Sequence, residues 1–166
     1  ARPAGMSKLL RVEALTPAGF APFGDVIEAD AAATHCAVNA GTATRYHDLA
    51  RIDTAGESGR TALSLFRAAP RDLPFRVAML ERHPLGSQAF VPLGEARYVV
   101  VVAADPAAPP RAFLAQRQGI NYRRGVWHHP LIVLDRITDF LCIDRAGTGE
   151  NCDEVSLAQE WVLDLT

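Results

Sequence analysis

The chain has 166 residues, 49% hydrophobic and 22% charged, which suits a folded domain with a real core and argues against a disordered or low-complexity protein. A net charge of −2 gives no electrostatic basis for gripping nucleic acid or an anionic membrane surface. The strongest apolar run, residues 98–104, is too short to span a bilayer, and no basic region followed by an apolar one marks a secretory leader. Cys36, Cys142 and Cys152 are odd in number and lack C-x-x-C spacing. Neither a disulfide framework nor a zinc knuckle is therefore expected, and a reducing cytoplasm is the default compartment. Residues 1–5, ahead of Met6, read as an expression scar, and residues 6–166 as a single domain.

In chain order, residues 8–15 read as a first strand. Thr16 and Pro17 mark a helix start, an N-cap followed by proline at the first position, with one turn through Phe20. Residues 25–28 form a short strand after Gly24. His35 falls in a small-residue loop, and residues 44–49, with Arg45 and His47, make a polar strand or strand edge. Residues 54–60 are an exposed loop bearing Gly56 and Gly59. Residues 61–68 form a strand with Leu63, Leu65 and Arg67 on one face. After a turn at 70–74, residues 75–83 read with period 2: Phe75, Val77 and Met79 share a face that runs on into Glu81 and His83. Residues 87–93 are a strand, and 97–104 a Val-rich buried one. A proline-rich loop covers 105–110; then come a strand at 111–115, a turn at 116–121 and a segment at 125–129 leading into 131–134. Strands at 137–144 and 160–165 complete the sheet. About ten short strands with Gly and Pro punctuation and little helical periodicity predict a mainly β jelly-roll barrel of antiparallel strands with one or two short helices.

Small barrels of the cupin type carry two metal-site motifs, approximately H-x-H-x4-E followed by P-x-G, and P-x-G-x-x-H. Here the first reads Glu81-x-His83-x4-Gln88, then Pro92-x-Gly94. The second reads Gly125-x-x-His128, with Arg123 at the proline position. Glu81 stands where the first histidine would be and Gln88 where the glutamate would be. Glu81, His83, Gln88 and His128 are thus candidates to converge inside one barrel. Two imidazoles with oxygen donors suit a divalent ion such as Ni, Mn, Fe or Zn, and equally suit metal-free proton transfer. His128 and His129 are adjacent, so on a strand only one faces the cavity. Spacing selects His128 and leaves His129 outside or at a subunit contact. Arg67, Arg45 and Arg123 are the candidate guanidiniums to read a carboxylate; the alternative for Arg67 is a salt bridge to a buried acid such as Asp139. Tyr122 and Trp127 are candidates to line a small polar pocket, or are core aromatics.

Four blocks carry a family resemblance: R-Y-H-D-L at 45–49, E-R-H-P-L-G-S-Q-A-F at 81–90, G-V-W-H-H-P-L at 125–131 and T-D-F-L-C-I-D-R at 138–145. With these the sequence resembles the bacterial ureidoglycolate lyases, in order from about residue 9 to residue 153. The resemblance implies a cytoplasmic, homodimeric, cupin-like enzyme of allantoin and purine catabolism. It would be a carbon–nitrogen lyase of the amidine-lyase type, taking (S)-ureidoglycolate to glyoxylate and urea. Nickel is associated with some members, although the chemistry requires neither a redox cofactor nor a covalent nucleophile. On this reading His83 and Glu81 carry the proton transfers, and His128 orients the hydroxyl or helps hold a metal. Arg67 or Arg45 grips the carboxylate, and Gln88 bonds the ureido group. The rival expectations are a non-catalytic cupin that senses a small carboxylate, and a metal-dependent cupin oxygenase or isomerase.

Overall fold

The computed structural model describes residues 6–165; the segment 1–5, read as an expression scar, and residue 166 lie outside the described residues. The strands are β1 (Lys8–Leu10), β2 (Val12–Ala14), β3 (Gly24–Ile27), β4 (His35–Val38), β5 (Ala43–Tyr46), β6 (Arg60–Ala68), β7 (Phe75–Arg82) and β8 (Gln88–Pro92). They continue with β9 (Arg97–Ala103), β10 (Arg111–Gln116), β11 (Gly119–Tyr122), β12 (Trp127–His128), β13 (Ile132–Val133), β14 (Thr138–Ala146) and β15 (Asp153–Leu163). One helical turn, α1 (Pro17–Phe20), begins as its sequence predicts: Thr16 is the N-cap and its hydroxyl accepts from the Gly19 N–H at 3.1 Å.

The larger sheet runs β1-β15-β7-β12-β9-β10-β2, with β13 paired to β9; the smaller runs β3-β11-β8-β14-β6. The expected single strand at 8–15 is divided at Arg11. Its first half pairs in parallel with β15 and its second half in parallel with β10. Two strands one residue apart in the chain thus occupy opposite ends of the same sheet, so those ends meet and the sheet curls on itself. The other pairings among the described residues are antiparallel apart from one isolated bridge, and the whole is a mainly β barrel with little helix.

Two apolar cores share β9. Tyr98, Val100 and Val102 face a core between the sheets with Phe90, Phe113 and Phe140. Val99, Val101 and Ala103 face a second core with Val77, Leu80 and Leu163. Burial on both faces explains the unbroken apolar run of this strand. Strand β7 departs from its expected period. Val77 and Leu80, not Val77 and Met79, enter the second core, and the β7–β15 register shifts between Ser156 and Trp161. A bulge there resets which residues face inward.

The expected turn at 116–121 contains the start of β11. Gly119 reads as a turn residue, but a Cβ there would lie 2.9 Å from the Phe90 carbonyl oxygen, so its glycine serves close strand approach. His35, expected in a loop, lies on β4, which among the described residues pairs only with β5; the turn between them holds Asn39, Ala40 and Gly41 at φ of 54°, 55° and 87°. Where β14 ends beside the start of β6, buried Arg145 donates to the carbonyls of Gly56, Glu57 and Thr148 at 2.7, 3.0 and 2.9 Å, tying two loops to β14.

Candidate active site

Strand register brings the chemistry together. In the larger sheet His128 on β12 stands directly opposite Glu81 on β7. In the smaller sheet Tyr122 on β11 stands directly opposite Gln88 on β8. The two pairs meet across the barrel, where the Tyr122 ring stacks on the His128 imidazole with centroids 4.0 Å apart and planes 12° from parallel. His83, just beyond β7, lies with its ring centroid 5.2 Å from that of His128. One ligand atom each from Glu81, His83 and His128 falls within 4.8 Å of the others. Glu81, Gln88, Tyr122 and His128, with Phe66 and Phe90 on the apolar side, border a cavity of ≈ 250 Å³. Larger clefts lie along β1 and β2 (≈ 650 Å³), beside Asn121 (≈ 540 Å³), beside Arg136 (≈ 390 Å³) and beside His47 (≈ 290 Å³); the last borders a single imidazole and the other three none, whereas the ≈ 250 Å³ cavity borders two.

The ring tautomers follow from the partners. Nδ1 of His83 lies 2.7 Å from the Asn151 carbonyl, and Nδ1 of His128 lies 3.0 Å from the Val126 carbonyl. A carbonyl only accepts, so both Nδ1 atoms carry hydrogen and both Nε2 atoms are directed elsewhere. Nε2 of His83 is 3.1 Å from Oε1 of Gln88, whose amide is oriented by donation from its Nε2 to Asp144 Oδ2 at 3.2 Å. Nε2 of His128 is 3.4 Å from Oε1 of Glu81, and is fully buried without an aligned hydrogen-bond partner. Two imidazole nitrogens therefore face two oxygens, all four able to present lone pairs to one point. Such a cluster is stable when imidazolium protons or a cation stand between the lone pairs.

The His128 interaction holds the Glu81 carboxyl below its ordinary value, outweighing the opposite effect of burial. Glu81 is thus an anion at neutral pH. Tyr122 is driven the other way by burial and by the nearby Tyr98 and Glu81, and stays a neutral phenol. His129 borders the cavity but sets its ring edge-on to Phe75 at 5.4 Å, and burial lowers its pKa.

Three expected site residues are placed differently. Arg67 borders the cavity, yet its side chain is 76% exposed on the outer face of β6, with Nε and Nη2 on Asp139 at 2.8 and 3.0 Å. The expected inward guanidinium is therefore not seen; the salt bridge to Asp139 is. Trp127 neighbours His128 on β12 and so faces the opposite side, where it packs against the second core under the Arg82 guanidinium. Arg45 lies on the exposed hairpin strand β5, outside the cavity of its own chain. Missed by sequence reasoning were Asp144, which orients Gln88, and Asn151. The Asn151 main chain receives His83, and its side chain receives the Leu85 N–H at 2.7 Å. Neither is part of a cupin motif, since both act by holding a motif residue.

A family model described as ureidoglycolate lyase matches residues 7–164. The chain belongs to the ureidoglycolate lyase family. It is 54% identical over 162 residues to a ureidoglycolate lyase of Burkholderia mallei, covering 95% of each chain. It is 48% identical over 163 residues to one of Pseudomonas putida strain W619, covering 95% of this chain and 97% of that one. Among solved structures, a 3,4-ketoisomerase from Helicobacter canadensis aligns with a TM-score of 0.43 at 9% identity, over 75% of this chain and 84% of that one. An oxalate decarboxylase from Bacillus subtilis aligns with a TM-score of 0.38 at 18% identity, over 60% of this chain and 24% of that one. Of the four blocks that resemble ureidoglycolate lyases, those at 81–90 and 125–131 carry Glu81, His83, Gln88 and His128, and the one at 138–145 carries Asp144.

Proposed function

We propose that the protein is a ureidoglycolate lyase that cleaves (S)-ureidoglycolate to glyoxylate and urea, as a cytoplasmic homodimer in allantoin breakdown. The observation that carries this reading is the convergence of His83 on Glu81 and His128, which border a cavity, in a chain about half identical to ureidoglycolate lyases along nearly its whole length. The three cysteines are free thiols, in keeping with a reducing compartment.

The substrate carbon bears a hydroxyl, a ureido nitrogen and a carboxylate. Elimination requires that the hydroxyl lose its proton, the C–O bond become a carbonyl, and the C–N electron pair leave with urea, whose nitrogen takes a proton. Glu81, ionised and inside the cavity, is the base for the hydroxyl. His83, its Nδ1–H held by Asn151, enters as the imidazolium and gives its Nε2 proton to the leaving nitrogen; the proton that Glu81 took then passes to His83, which restores both groups. His128, fixed by Val126 and Tyr122, orients the hydroxyl against Glu81, and the Gln88 amide, locked by Asp144, bonds the ureido group. No redox partner and no covalent intermediate enters this scheme.

The same residues fit a divalent ion. His128 offers an unpartnered buried nitrogen, His83 a second, and Glu81 and Gln88 offer oxygens. Bound there, an ion such as nickel would supply Lewis acidity toward the substrate hydroxyl and carboxylate.

The test is release of glyoxylate and urea from (S)-ureidoglycolate. Wild type is expected to yield the two in equal amounts. His83→Ala and His128→Ala should each lower kcat about a hundredfold or more while keeping the wild-type circular dichroism spectrum. Wild-type rates in both variants would overturn the assignment. If the site works through a metal, chelation abolishes turnover and one added ion restores it; unchanged turnover after chelation leaves proton transfer alone.

A further inference from the structure

We propose that the β4–β5 hairpin is an exchange arm, which in a symmetric dimer lies along the β6 edge of a second copy and brings Arg45 to that copy's cavity. This rests on the lyase reading, because it names the cation that receives the substrate carboxylate.

Three observations converge on it. First, the hairpin is fully formed, with four register pairs from His35↔Tyr46 to Val38↔Ala43, yet it constitutes a sheet of its own. Nearly all of its residues are exposed. A lone two-stranded hairpin is marginal in water, so a regular one standing off the body calls for a surface to rest on. Second, β6 is a nine-residue strand at the edge of the smaller sheet, with one side unpaired among the described residues. Its outer face presents Leu63 and Leu65 at 68% and 65% exposure, in register with Ile143 and Leu141 of β14. A long apolar edge is a template for strand addition. The cavity mouth adjoins this edge, because Phe66, Arg67 and Ala68 of β6 border both. Third, the charges are complementary. Arg67, the one arginine among the described residues that borders the cavity, is held on the outer face by Asp139, while Glu81 adds negative charge inside. The arm carries Arg45 and no acidic residue. Each copy has both an arm and an edge, so a two-fold axis satisfies both at once and completes two cavities.

Two measurements decide the matter. Sedimentation equilibrium should give a dimer for wild type and a monomer when residues 36–45 are replaced by a two-residue Asn-Gly turn. A monomeric wild type, or a dimer that survives the shortening, overturns the proposal. Arg45→Ala should stay dimeric and show a KM raised about tenfold or more; an unchanged KM also overturns it. Arg45→Ala and His83→Ala chains are then co-expressed with different tags and purified as the heterodimer. The site with an intact His83 receives an intact Arg45 from its neighbour, so activity at low substrate should recover to about half that of wild type, one site of two. A heterodimer no more active than the two parent dimers overturns the exchange of Arg45 and leaves the lyase reading standing. A fully active His83→Ala dimer overturns the lyase site instead, and the sedimentation result still judges the arm.

Discussion

At the scale of single residues, the site depends on one choice made twice: each histidine gives its Nδ1 hydrogen to a main-chain carbonyl and turns Nε2 toward an oxygen. Glu81 is the group this choice affects most, since His128 draws its pKa below the ordinary 4.5. A carboxyl whose folded pKa is depressed stabilises the fold fully above its unfolded value and loses that contribution as pH falls through the folded one. Glu81→Gln should therefore be less stable than wild type at pH 7. The gap in urea midpoint should close as pH falls below 4.5. A gap that is constant with pH would show that Glu81 and His128 are not coupled. The same variant should lose glyoxylate release about a hundredfold or more, because a glutamine cannot take the hydroxyl proton.

At the scale of elements, the loops before β6 and after β14 are held by a side chain rather than by strand pairing. Arg145 supplies three carbonyls with donors, and a Cβ on Gly59 would sit 2.3 Å from its Nε, so loop and guanidinium fit without slack. Arg145→Met should cost about 3 kcal/mol, the scale of leaving several buried acceptors unpaired, read from urea denaturation. A loss below about 0.5 kcal/mol would mean that water replaces the guanidinium. Elements whose residues answer to local rules were legible in the sequence. The cap at Thr16, the Val-rich β9 and the motif that collects Glu81, His83, Gln88 and His128 are examples. What escaped depends on partners distant in the chain. The division at Arg11 follows from pairing with β15 and β10, and the changed inward face of β7 from its register with β15, which is irregular between Ser156 and Trp161. The outward turn of Arg67 follows from its position opposite Asp139 on β14. For Trp127 the choice between pocket and core was open to a local rule, since the alternation that separates His128 from His129 also separates it from Trp127.

At the scale of the molecule, β9 joins two cores that otherwise face different surroundings, since its successive side chains enter them alternately. Close packing on both faces of one strand means that a void on one side displaces the backbone that the other side packs against. The two cores should therefore unfold together. The chain offers a direct way to see this, because both of its tryptophans, Trp127 and Trp161, pack against the second core and neither against the first. Phe140 lies wholly in the first core, in edge-on contact with Phe90 and Tyr98. Phe140→Ala should cost about 3–5 kcal/mol and lower the melting temperature by about 10 °C. If β9 couples the cores, tryptophan fluorescence must report that fall in full and coincide with the far-ultraviolet circular dichroism transition. Leu163→Ala, in the second core, should shift both signals together in the same way, by about 2–5 kcal/mol. Separate transitions in either variant would divide the barrel into two cooperative units, with the active-site face able to loosen while the tryptophan side stays packed.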